Sequence, residues 1–172
     1  MLSRFIGQHQ SGARLVLLAG AAGGLAEIIW VSLYAAATPL VGLDVAREVT
    51  ASVFGPGAVG SFSSAIGILI HFLLSFAIAA AFSLTLWQPV RHRFGRNGVV
   101  ACALAVLAGI WSMNFFVVLP VVNPNFIELM PLTVTLTSKL LFGLAMGGIL
   151  ADARASREVT ARSGYVYAQA HL

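Results

Sequence analysis

Charge is the scarcest commodity in this sequence. Only 9% of its 172 residues are charged and 59% are hydrophobic, where a typical soluble domain carries about 25% charged residues. The mean hydropathy is +0.91. So little charge cannot solvate a water-facing surface, which excludes a soluble domain and makes lipid the solvent for most of the chain. Cysteine occurs once, as Cys102 inside an apolar run. An intrachain disulfide is therefore excluded, and a packing thiol is the expected role. Of the four histidines only His71 falls within an apolar run; His9, His92 and His171 lie in polar segments, so a bis-histidine haem has no second ligand. One Glu and one His beside a Lys make a poor metal site, because the ammonium repels the cation. No GxSxG, HExxH or phosphate loop is present. Neither enzyme chemistry, nor a cofactor, nor a metal is expected. The net charge of +4 comes from basic residues beside the apolar runs rather than on one long face, so a nucleic-acid partner is not expected.

What the chain does have is apolar length. Four runs, about 15–37, 59–87, 98–119 and 132–151, each suffice to cross a bilayer. They predict an all-α fold, a four-helix integral membrane bundle forming a single domain over residues 1–172, with a tail at 152–172. Residues 38–58 form a loop with a predicted short amphipathic helix, Leu43 to Phe54, whose Leu43, Ala46, Val49 and Val53 stripe opposes Asp44, Arg47 and Glu48. Residues 88–97 read as a tight basic loop, and 121–131 as a turn broken by Pro and Asn.

The runs also repeat. Ile29-Trp30, eight residues and Pro39 match Ile110-Trp111, eight residues and Pro120. In the following runs His71-x-Leu73-Leu74 aligns with Lys139-x-Leu141-Phe142. The chain thus reads as two related helical hairpins, a parallel repeat about an axis along the membrane normal. Every run carries a small-xxx-small pair: Gly20 and Gly24, Ser75 and Ala79, Ala101 and Ala105, Gly143 and Gly147. Such pairs let helix backbones approach closely in lipid. Helical spacing puts Glu27 on the small face of the first run, His71 on that of the second, Ser112 on that of the third and Lys139 on that of the fourth. All four lie about 12–16 Å from the outer end of their helix, which predicts one polar cluster. Asn114 falls on the opposite face of the third run.

Eight arginines flank the termini and the 88–97 loop, and Arg47 alone lies on the other side. This asymmetry predicts both termini in the cytoplasm. Tyr34-Ala35-Ala36-Ala37 has some likeness to a leader cleavage site, but the run before it is too long for a usual leader.

Gly67-x3-His71-x3-Ser75, Ala101-x-Ala103-Leu104-Ala105 with Met113 and a Phe-Phe pair, and Pro124-x-Phe126 together resemble the YagU-like bacterial inner-membrane proteins, with Lys139 standing where a His would be expected. The resemblance implies a four-span protein of the bacterial inner membrane and no activity. Two functions compete. In one, the chain acts by helix association, as an accessory subunit or homo-oligomer whose partners are lipid and other membrane chains or its own copies, with Glu27, His71 and Lys139 as polar glue. In the other, it is a small transporter or proton- or ion-conducting protein that uses that cluster as a site. Water access to the cluster separates the two.

Overall fold

The computed structural model describes residues 2–58 and 60–153, with side chains from residue 12 onward; most of the tail expected at 152–172 lies outside the described residues. Those residues are helical almost throughout: α1 (Leu2–Ala36), α2 (Gly42–Phe54), α3 (Ser63–Phe82), α4 (Gln88–Met113), α5 (Leu119–Val122), α6 (Pro124–Leu129) and α7 (Leu132–Asp152). Three stretches are long and apolar enough to cross a membrane: Gly12–Ala36, the 60-residue joined helix Ser63–Val122, and Leu132–Asp152.

The long joined helix is continuous because its prolines are accommodated. Its turns widen to an i→i+5 pattern at Ser83–Trp87 and at Asn114–Val118. Each widened segment ends two residues before a proline, Pro89 or Pro120. Proline has no N–H, and its ring crowds the carbonyl four residues back; a widened turn relieves both problems without ending the helix. The expected basic loop at 88–97 is therefore mostly helix. Within α4 the helix breaks at Gly95, whose φ of 67° and ψ of −158° suit a residue without a side chain.

Contacts along α7 show the reversal at Gly95. Before it, the Trp87 indole N–H donates to the Leu150 carbonyl at 2.9 Å. After it, α4 runs back along α7 until the Trp111 N–H donates to Thr135 Oγ1 at 3.0 Å. Arg91 donates to the Ala151 carbonyl and Arg96 pairs with Asp152, so basic side chains meet the C-terminal end of α7, where the helix dipole favours them. The third tryptophan, Trp30, also donates to α7, at the Val134 carbonyl (3.0 Å). In the main core, Phe142, Met146 and Leu150 of α7 pack with Ala19, Ala79, Phe82, Val99, Ala103 and Leu107. Cys102 is half-buried at its edge. The helices are ordered α3, α1, α7, α4, and α3 and α4 are not packed on each other along their lengths. An exact two-fold relation between hairpins would pack α3 on α4 as closely as α1 packs on α7.

The small faces work where backbones meet. A Cβ on Gly20 would lie 2.7 Å from the Phe76 ring, and one on Gly24 would lie 2.9 Å from Ser75 Oγ. One on Gly143 would lie 3.2 Å from the Ala103 carbonyl, and one on Gly147 2.9 Å from Ala103 Cβ. Ser75 and Ala79 are buried. Ala101 and Ala105, by contrast, are exposed. The face of α4 that packs is Val99, Ala103, Leu107 and Trp111. Burying Val99, Leu107 and Trp111 yields more dispersion contact than burying alanines would, and the glycines of α7 already permit the close approach. Leucine at either Gly24 or Gly143 will drive a side chain into a packed helix. Each is expected to cost at least about 1–3 kcal/mol and to lower the melting temperature in detergent; unchanged melting in both would show that these faces meet lipid.

Candidate functional site

Glu27 lies four residues after Gly23, and a Cβ on Gly23 would touch the Phe142 ring at 2.8 Å. Glu27 therefore faces α7, one helical turn along the same stripe. There its Oε1 accepts from Lys139 Nζ at 2.5 Å and from Ser138 Oγ at 3.3 Å. Ser138 also donates to the Thr135 carbonyl at 2.7 Å. Glu27 Oε2 is buried and has no partner among the described residues. The side chains of Lys139 and Glu27 are 21% and 12% exposed, so the pair is neither fully sealed nor fully wet. Such a pair offsets part of a desolvation cost of several kcal/mol per ion.

His71 approaches the same carboxylate stripe from α3. Its Nε2 lies 3.1 Å from the Gly24 carbonyl. A carbonyl can only accept, so Nε2 carries a proton; in the neutral ring Nδ1 is then the acceptor. Ser75, one turn on, donates to the His71 carbonyl at 2.7 Å. Glu27, His71 and Lys139 thus converge from α1, α3 and α7.

Ser112 does not join them. It is exposed and donates to the Ala108 carbonyl at 2.9 Å. Asn114, assigned from sequence to the opposite face, is half-buried and lines the same space as the trio. One rotation explains both differences. With Leu107 and Trp111 inward, Asn114 follows at spacings of seven and three and turns inward, and Ser112 turns out. Asn114 also opens the widened turn Asn114–Val118, a distortion frequent at functional sites. Ser138 was missed as well. The signal that flags its neighbour is compositional: Lys139 is the one lysine of the chain, every other long basic side chain being arginine.

Two spaces meet at this cluster. A chamber of about 760 Å³ lies under α2 and is walled by α1, α3, α7 and the Asn114–Val118 segment. A second space, an open groove of about 560 Å³, lies between α3 and α4 and reaches Ser75, Ile78 and Gly109. Glu27, His71, Leu74, Asn114, Val118 and Lys139 line both. Roofing the chamber, α2 is tied to α3 by Thr50 Oγ1 donating to the Ser63 carbonyl at 2.6 Å. The Asn123 amide ties it to the α5–α6 turn, donating to Glu48 Oε2 at 2.8 Å and Ser52 Oγ at 3.0 Å. The expected stripe on α2 is shifted: Val45, Thr50 and Ala51 are buried, while Leu43 and Val53 stand exposed at the chamber's rim.

No protein-family model, curated protein or solved structure matches this chain.

Proposed function

We propose that this protein is a small membrane transporter or conducting protein, and that Glu27, His71 and Lys139 are its central site. The supporting observation is that these three residues line both spaces at once. An ion pair serving only as glue would lie in a dry, fully packed interface, where unpaired polar atoms are costly. Here the pair borders both spaces, so a solute or proton moving between them would come close to it. Ionisable groups at such depth mark substrate or proton pathways in many membrane proteins.

The reading carries a topology. The chain crosses the membrane four times because Gly95 reverses the long joined helix. On this reading it lies in the cytoplasmic membrane of a bacterium, with both termini and Arg91–Arg96 on the cytoplasmic side and α2 outside, an orientation that the arginine asymmetry supports. We further propose that the two hairpins descend from one and that the chain is akin to the YagU-like proteins. The association reading retains one observation, the exposed Ala101 and Ala105 face of α4, on which a further helix would fit closely.

Labelling separates the two readings. In a Cys102→Ser background, Asn114→Cys is expected to react with a membrane-impermeant thiol reagent added outside intact spheroplasts, as is Ser52→Cys on the roof helix. A Ser52→Cys that reacts and an Asn114→Cys that does not would leave the cluster dry and favour association. If neither reacts from outside and both react from the cytoplasmic side, the orientation is reversed.

A further inference from the structure

The chamber beneath α2 has a chemistry that selects its occupant, and the argument rests on the reading of the cluster as a binding site. Most of its wall is apolar: Ile28, Val31, Val45, Val49 and Phe115 are typical. Its volume of about 760 Å³ lies within the range of pockets that enclose a whole small molecule. Apart from Ser32 and Ser52, the polar lining groups belong to the cluster around Glu27, His71, Asn114 and Lys139. With the His71 ring neutral, charge there is closed: Glu27 and Lys139 are the carboxylate and the ammonium that line the chamber among the described residues, and they are paired with each other. A charged ligand head would have no counter-charge left to neutralise it, and an uncompensated charge in an apolar cavity is strongly disfavoured. Hydrogen-bonding capacity is not closed. Lys139 has ammonium hydrogens beyond the one given to Glu27, His71 retains Nδ1 as an acceptor, and Asn114 offers an amide that both donates and accepts. None of these remaining valences meets a described residue.

We infer that the chamber binds an uncharged amphiphile: an apolar body under α2, with a head such as a hydroxyl or amide that donates and accepts hydrogen bonds at Lys139, His71 and Asn114. The head docks without displacing Glu27 from Lys139. Carboxylates and quaternary amines of the same size are excluded by the cost of their charge.

Three probes with matched chains test this in lipid nanodiscs: 1-decanol, decanoate and decyltrimethylammonium, with binding read by thermal shift and by native mass spectrometry. Decanol is expected to bind saturably, at least tenfold more tightly than either charged probe. Val49→Trp, which fills the roof side of the chamber, should weaken decanol binding at least tenfold. Should that variant misfold, Val53→Trp fills the rim instead, at a position already 55% exposed. Decanoate or decyltrimethylammonium binding as tightly as decanol would overturn the neutral-ligand inference and leave the chamber reading standing. Decanol uptake that the filling variants do not change would be partition into lipid and would overturn the inference. Saturable binding of none of the three would overturn it together with the binding-site reading.

Discussion

Glu27→Gln is expected to destabilise the folded protein by about 3–5 kcal/mol, the cost of leaving one member of a buried pair behind. Gln at 27 keeps an acceptor for Ser138 but no charge for Lys139, whose side chain is only 21% exposed. Lys139→Met alone strands the opposite charge and is expected to cost about as much. Together, the substitutions remove both charges and leave a thioether stem of similar volume, so the double variant should recover most of the loss. The cycle is read from unfolding in mild detergent, with the coupling energy as its result. Additive losses would mean that the two side chains do not meet in the folded protein. Recovery of stability with loss of any solute- or pH-dependent current would tie the pair to transport; unaltered currents would confine it to structure.

Gly67→Ala is expected to have an effect of comparable size by a different route. A Cβ on Gly67 would lie 1.8 Å from the Ala46 carbonyl oxygen and 2.7 Å from its carbon. Both are backbone atoms, so no side chain can turn aside. The roof helix must lift from α3, breaking the Thr50 bond to the Ser63 carbonyl and the Ser64 bond to the Leu43 carbonyl. Overpacking costs about 1–3 kcal/mol and occasionally more, and a contact with backbone on both sides belongs at the upper end. Amide exchange over 42–54 should lose protection while the core amides of α7 keep theirs. Gly148→Ala is the matched control: nothing lies within 4 Å of a Cβ there, so it should be neutral or stabilise its helix by up to about 1 kcal/mol. Intact exchange protection of α2 in Gly67→Ala would show that the roof does not pack as described.

The long apolar stretches and the amphipathic α2 were legible in the sequence because lipid and one-sided burial impose strong periodic signals. The Gly67, His71 and Ser75 stripe was legible too, as one residue per turn on a single face. Its three members meet α2, the Gly24 carbonyl and the small face of α1 respectively. The rotation of α4 was not legible. Alanine is equally at home against lipid and against a helix, so Ala101 and Ala105 carry no directional information. The inward face was decided instead by Trp111 finding Thr135 and by the volume of Leu107 under α7. The helical course of 88–97 was hidden because a proline in the sequence reads as a break. Whether a helix instead absorbs it by widening depends on its neighbours.

Because Lys139 is the one lysine of the chain, its side chain can be observed alone. Solid-state NMR of protein carrying ¹⁵N-lysine and ¹³C-glutamate, in lipid bilayers, reports directly on the central claim. The account predicts a single Nζ signal coupled at bonding range to one carboxyl carbon, with the coupling lost in Glu27→Gln. It also predicts that the same Nζ receives magnetisation from water protons, because the chamber reaches it. An Nζ with no carboxyl coupling, or a coupled Nζ that exchanges nothing with water, would contradict an ion pair bordering accessible space.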